Sequence, residues 1–239
     1  SSAWQGDTEA TYWDSNGVLQ TASAGVPRLA RSYDGTSWNV DGVLAEPQRT
    51  NEKPNPRFGN FSDGETTNRG MVVSTGFTGI DDTNNAVELA DNDTSDSTDG
   101  QYRIGFSIPD DSTGWTQSVY VKKNRGTELT IRLIAFKGNN VDVQIVLDPS
   151  NGSFTYDANQ GHAKVEDRGG WWRVVMTINN NSSGNTILQS RFYTPDGQGS
   201  APIVDAWQVE NHHAVATDAD GYADATHATM PILTGGATR

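Results

Sequence analysis

The chain contains no cysteine. Disulfide scaffolds, thiolate zinc sites and thiol nucleophiles are therefore all excluded. Sustained helical periodicity is missing as well: no segment repeats apolar residues at i, i+3, i+4 and i+7. No stretch approaches the roughly 20 apolar residues of a membrane span, so membrane insertion is not expected. Residues 1–7 show neither the basic start nor the apolar run of a signal peptide. Positive charge is scarce, with 17 Lys and Arg against 30 Asp and Glu, a formal charge of −13. Such a balance repels phosphate backbones and anionic bilayers, which argues against a nucleic-acid partner.

Catalytic signatures are missing too. There is no GxSxG elbow, and the four histidines read as loop residues, so a Ser-His-Asp arrangement fails. Glycine-rich stretches do not lead from a strand into a helix, so no phosphate cradle forms. A glycosidase needs two carboxyl groups flanking one sugar bond. Only Glu88 and Asp205 fall within patterned segments, and no Glu sits beside the aromatic strand residues. The expectation is a chain without catalytic machinery.

What is present points to β structure. Seven each of Trp, Tyr and Phe argue for a folded core, although hydrophobic residues make up only 34% of the 239 positions. A core that thin suits two packed sheets. Alternating segments rich in β-branched and aromatic residues predict strands at 102–108, 115–123, 129–136, 141–147, 153–156, 171–178, 186–193 and 203–209. The turn DPSNG at 148–152 and the Asn16-Gly17 pair mark hairpins, because Asn-Gly tolerates positive φ. Between 62 and 100 the pattern is poorer, and 91–100 (DNDTSDSTDG) reads as a solvated acidic loop. The predicted class is all-β: an antiparallel two-sheet β-sandwich of the jelly-roll or Greek-key kind.

Two acidic runs offer the oxygen ligands that Ca2+ prefers. Asp91, Asp93 and Asp96 form one, and Asp218, Asp220 and Asp224 the other. Neither is an EF-hand, since Tyr102 stands where the first would need its bidentate Glu. His212, His213 and His227 lack the spacing of a transition-metal site. A structural Ca2+ is the single cofactor the sequence suggests.

Several segments resemble a known family. Residues 10–19 (ATYWDSNGVL), 25–28 (GVPR) and 42–51 (GVLAEPQRTN) are similar to a lead-in found in phage tail and virion proteins. Residues 118–122 (SVYVK), 147–154 (LDPSNGSF), 165–177 (VEDRGGWWRVVMT) and 206–210 (AWQVE) resemble strands of the lectin-like jelly roll that follows it, and 231–239 (PILTGGATR) its closing segment. The resemblance implies a concanavalin-like or carbohydrate-binding-module-like sandwich at 53–211. A lead-in at 1–52 would pack on it, and 212–239 would close it. It further implies a place on the virion surface, outside the cell, among other virion subunits and as a homo-oligomer. Glycans or cell-surface polysaccharides are the implied partners, and no shared catalytic set comes with the family. A structural decoration or fibre spacer, or the binding module of a polysaccharide-degrading enzyme, are the alternatives.

Period-two alternation assigns faces. If Trp172, Val174, Met176 and Ile178 point into the core, then Trp171, Arg173 and Thr177 point away. The same parity sends Tyr120 and Lys122, Arg132, and Arg191 and Tyr193 outward. If their strands share one sheet, these seven residues other than Thr177 form an aromatic, cationic platform. Sugars stack on aromatic rings, and arginine forks pair with carboxylate or sulfate, so the platform would suit an acidic polysaccharide. The competing expectation is that the chain's own N-terminal segment covers this face. Trp115, Trp172 and Trp207 are expected in the core.

Overall fold

The computed structural model describes residues 10–23, 25–44, 52–53, 58, 64–93, 99–159, 161–195 and 201–212. Among them every helix or strand is a strand. The order is β1 (Ala10–Trp13), β2 (Leu19–Ala22), β3 (Leu29–Tyr33), β4 (Trp38–Val43), β5 (Thr66–Asn68), β6 (Met71–Phe77), β7 (Ala86–Asp91) and β8 (Gly100–Ser107). There follow β9 (Gly114–Lys122), β10 (Leu129–Phe136), β11 (Val141–Leu147), β12 (Phe154–Asn159), β13 (Gly161–Arg168), β14 (Trp171–Asn179), β15 (Ile187–Thr194) and β16 (Ile203–His212).

Two six-stranded antiparallel sheets form the sandwich, in the orders β12-β11-β10-β15-β8-β5 and β13-β14-β9-β16-β7-β6. The chain passes between them repeatedly, so strands adjacent in a sheet are often distant in sequence. Strict alternation explains the best-defined pair. Leu129, Ile131, Leu133 and Ala135 of β10 and Val141, Val143, Ile145 and Leu147 of β11 are all fully buried in the shared core. Val119 and Val121 face them from β9, and Val174, Met176 and Ile178 from β14. Trp115 and Trp207 are buried there too, while Trp172 is half-buried at the margin.

Turn chemistry sets that margin. Gly152 has φ of 76°, and a Cβ on it would meet the Trp172 ring at 2.6 Å, so the indole rests on bare backbone. Its Nε1 donates to Pro149 O at 3.0 Å, and Lys123 Nζ lies 3.9 Å from the ring centroid. At the other end, Phe58 stacks on Trp207 at 5.0 Å. Beside them the fully buried Lys53 and Glu65 pair at 2.6 Å, and the Tyr102 hydroxyl donates to the same carboxylate. A pair so placed is costly to break from one side, because the remaining charge would be stranded.

A second apolar cluster lies outside the sandwich. Trp13 and Leu19 from the β1–β2 hairpin pack on Tyr120, Trp171, Ile203 and Ala206, with Trp38 against them. Trp13 stacks on Trp38 at 5.0 Å and tilts against Tyr120 at 5.6 Å. The hairpins β1–β2 and β3–β4 thus cover part of the outer face of the β9/β14/β16 sheet. Arg168 Nη1 donates to Arg31 O at 3.2 Å and fastens the second hairpin.

Several expectations need correction. The 62–100 stretch carries β5, β6 and β7 rather than weak pattern. Asp91 closes β7 and is buried, and Gly100 opens β8 and is buried, so only part of 91–100 is loop. His162 lies on β13 and His212 ends β16, neither in a loop.

Candidate functional site

The parity of the seven platform residues agrees with the sequence reading, but their surroundings do not. Tyr120 is fully buried, Trp171 is 6% exposed and Arg173 5%. All three face the second cluster, because the lead-in hairpins take the place that solvent would have had. Lys122, at the end of β9, is partly exposed, with its Nζ 5.2 Å from the Trp171 ring. Arg132, Arg191 and Tyr193 stand on β10 and β15, in the other sheet. One continuous platform of seven residues is therefore not formed.

Buried Arg173 belongs to a charge hub. Glu166 on β13 lies opposite Arg173 and accepts from Lys164 at 2.8 Å and from Arg168 at 2.7 Å. Burial pushes the Glu166 carboxyl up. The charges of Arg173 and Arg168, with hydrogen bonds from Lys164 and Arg168, outweigh it and hold the group at about 2. Arg173 also sits 5.8 Å from the Tyr120 ring. The hub is structural cement beneath the lead-in.

The outer face of the other sheet is different. Register places Arg132 opposite Arg191, and Arg191 opposite Arg103 of β8. Gln144 and Asp157 extend the row through β11 and β12, and Thr66 ends it on β5. All three arginines are partly exposed. Arg132 is neutralised by Asp142, at 2.6 Å. Arg191 instead donates to Gln189 Oε1 at 2.8 Å and to the Tyr193 hydroxyl at 3.4 Å, and lies 5.7 Å from the Phe136 ring. Arg103 donates to Thr66 Oγ1 at 3.2 Å. Among the described residues neither of these two pairs with a carboxylate. Like charges set directly across a strand pair are destabilising, so an acidic protein holds here an arrangement that an anion would relieve.

Around the row, Tyr193 lies opposite Thr130 and Gln101, and Gln189 opposite Ile134 and Gly105. The face thus combines guanidinium forks, amides, a phenol and apolar ring area. Gln189 falls on this face with Arg191 and Tyr193 by the same alternation, whereas Arg103, Phe136 and Gln144 were not foreseen. The alternation of Tyr102, Ile104 and Phe106 would have sent Arg103 outward, but its neighbour on β15 is visible only in the register.

The acidic runs yield less. Asp91 Oδ1 accepts from Asp93 N at 2.9 Å, closing a turn, and Oδ2 is buried without a hydrogen bond. Asp96, Asp218, Asp220 and Asp224 lie outside the described residues. Among the described residues no group of three potential metal ligands occurs.

No protein-family model matches the chain, and no curated protein matches it. Among solved structures it is similar to β-sandwich carbohydrate-binding modules described as promiscuous in specificity, at 13% identity and TM-score 0.37, over 84% of this chain and 85% of that one. It is also similar to a lectin from Bauhinia forficata in complex with GalNAc, at 11% identity and TM-score 0.38, over 70% and 98%. A cyclase from Fischerella sp. TAU matches at 10% identity and TM-score 0.43, over 71% and 100%. Both binding proteins and an enzyme appear at this level, so the likeness is one of fold alone.

Proposed function

We propose that the chain is a non-catalytic recognition module that binds an anionic saccharide on the open face of the β5/β8/β15/β10/β11/β12 sheet. The observation that carries this is the opposition of Arg191 and Arg103, across neighbouring strands and without a carboxylate partner among the described residues. Bidentate guanidinium contacts would hold a uronate or sulfate, Tyr193 would offer ring surface, and Gln189 and Gln144 would read hydroxyl groups. The resemblance of residues 10–51 to a phage lead-in supports carriage on a virion surface, in a tail fibre, spike or capsid appendage. There the ligand would be a host or environmental polysaccharide. The binding module of a polysaccharide-degrading enzyme would use the same face in the same way.

The test is an array of uronate, sulfated and neutral oligosaccharides, probed with wild type, Arg103→Gln and Arg191→Gln at low and high salt. Anionic glycans should bind more tightly than their neutral counterparts, and that excess should be weakened by either substitution and by salt. Equal binding of all glycans by all three proteins would overturn the reading. Release of reducing ends from any bound polysaccharide would overturn the non-catalytic part.

A structural role, as decoration or fibre spacer, rests on a separate observation. Leu29 and Val43 oppose each other on the β3–β4 hairpin at 43% and 61% exposure, with Val40 at 53%. A particle in which the arginine row is covered by a neighbouring subunit would favour that role.

A further inference from the structure

The lead-in does more than cover a sheet. Where its two hairpins meet the β13–β14 turn they enclose an open cup of about 490 Å3, lined by Ser15, Asn16 and Gly17, by Tyr33, Thr36, Ser37 and Trp38, and by Gly169 and Gly170. That volume lies within the range of small-molecule sites, about 300–1,000 Å3. No lining residue carries a charge, although charged residues make up 20% of the chain. The cup lies over the sheet opposite the arginine row, so the two differ in both place and chemistry.

Its walls are held in advance of any ligand. Asp14 Oδ1 accepts from Asn16 N at 2.8 Å and Val18 N at 3.0 Å, fixing the first turn. Asp34 accepts from Ser37 N at 2.8 Å, Thr36 N at 2.9 Å and Asn39 Nδ2 at 2.8 Å, fixing the second. Those bonds, the Ser37 backbone N–H foremost, hold the Asp34 carboxyl down at about 2. Asp167 Oδ1 accepts from Gly169 N at 3.0 Å and from Lys123 Nζ at 2.6 Å, fixing the third turn and neutralising Lys123. Asp14, Asp34 and Asp167 are thus each engaged by turn N–H groups, and Lys123, paired with Asp167, reaches the cup only as a cation 5.8 Å from the Tyr33 ring.

The aromatic wall is equally fixed. Trp38 stacks on buried Trp13 and tilts against Tyr33 at 5.6 Å, and both lining rings remain half-exposed. Gly17, at φ 77°, brings bare backbone to the Trp38 edge, and a Cβ there would fall 2.3 Å from Nε1. The wall therefore depends on a residue without a side chain. Rigid aromatic surface, hydroxyl and amide groups and a lining without charge are what a pyranose ring with uncharged substituents requires, and no guanidinium fork lines the cup to pair with a carboxylate or sulfate.

From this we infer that the cup is a second binding site, specific for a neutral saccharide unit and independent of the arginine face. Gly170 supplies a clean test. It lines the cup, and a Cβ added to it would meet nothing within 4 Å, so Gly170→Leu would add apolar bulk at the rim without a clash at the Cβ. Neutral gluco-, galacto- and manno-configured trisaccharides and the corresponding hexuronates would be titrated at millimolar concentration. Saturation-transfer NMR and tryptophan fluorescence would read binding to wild type, Gly170→Leu, Trp38→Ala and Arg103→Gln. At least one neutral trisaccharide should bind wild type and Arg103→Gln alike, with no response to salt, and at least tenfold more weakly to Gly170→Leu at unchanged melting temperature. Trp38→Ala should lose it as well. Three results would each overturn the inference. No neutral trisaccharide binds wild type, or Gly170→Leu binds as wild type does, or Arg103→Gln removes neutral binding. Loss of hexuronate binding alone would bear on the arginine face and leave the cup untouched.

Discussion

Arg103→Gln should make the protein more stable and less able to bind. Among the described residues the Arg103 side chain has one hydrogen-bond partner, the Thr66 hydroxyl, and it faces Arg191 across the β8–β15 pair. Directly opposed residues have Cβ atoms about 4.5–5.5 Å apart, and opposed pairs shift stability by roughly 0.2–1 kcal/mol. Two unit charges about 6 Å apart in a water-like medium repel by about 0.7 kcal/mol, in the same range. Removing the charge while keeping a hydrogen-bonding side chain should therefore raise the melting temperature by about 1–4 °C at low salt. The gain should shrink in 1 M salt, where the screening length falls to about 3 Å. Arg132→Gln is the matched control with the opposite sign, since it breaks the partly exposed bridge to Asp142 and should cost about 0.5–1 kcal/mol. Binding of an anionic glycan should fall about ten- to hundredfold in Arg103→Gln, the loss of one charge-assisted contact of about 1.5–3 kcal/mol. Calorimetric melts at two salt concentrations, beside titration with the glycan, give both quantities. A melting temperature that drops in Arg103→Gln, with binding intact, would refute the argument and make Arg103 a structural residue.

Trp171→Ala should destabilise the fold by about 3–5 kcal/mol, as the truncation of a buried indole, and an unchanged thermal melt would show that the hairpins do not seal that face. Glu166 is held below its unfolded value, so its contribution is present above about pH 4.5 and is lost as pH falls toward 2. A pH series of melts should show Glu166→Gln converging on wild type in that window, and parallel curves would count against the hub. Deleting residues 1–44 should uncover Tyr120, Trp171 and Ile203 and cause aggregation, which light scattering would reveal. If Asp91 Oδ2 helps hold a structural Ca2+, chelator should lower the melting temperature and millimolar Ca2+ restore it, whereas identical melts would exclude the ion.

The strands were legible where one face was apolar throughout. LTIRLIAF and VDVQIVL keep one face apolar over their whole length, and β10 and β11 begin and end where that face does. AVELAD of β7 and MVVSTGF of β6 were not legible, because they mix apolar and polar residues on both faces. Alternation also reports parity and nothing about what lies beyond. Trp171 and Arg173 do point away from the core, yet hairpins more than a hundred residues earlier bury them. Cover by the chain's own N-terminal segment was the competing expectation, and Trp13, Leu19 and Trp38 supply it. The arginine row was hidden for another reason. Arg103, Arg132 and Arg191 are far apart in sequence, and only the order β10-β15-β8 sets them side by side.

The two outer faces of the sandwich thus answer opposite demands. On the β9/β14/β16 sheet, Thr116, Ser118, Thr177 and Gln208 point outward but are buried, so their polar groups must find partners away from bulk solvent. On the same face Tyr120, Trp171, Ile203 and Ala206 hold the lead-in. On the other sheet Arg103, Arg191, Gln189 and Tyr193 stay partly exposed, although Gln101 and Ile134 beside them are buried, and the chain leaves two arginines facing each other despite its abundance of acidic side chains. Placing a glutamate at Gln189, which already accepts from Arg191, would offset the repulsion at no cost in space. A stable packing surface would be expected to carry such a glutamate, whereas a surface that must accept an anion cannot, because an internal carboxylate would compete for the same guanidinium forks. Gln189→Glu makes the distinction measurable. It should raise the melting temperature by about as much as Arg103→Gln does, while leaving both arginines in place and still weakening anionic-glycan binding. Should Gln189→Glu bind such glycans as well as wild type, the forks are not the recognition element, and the open face must be assigned to contact with another subunit.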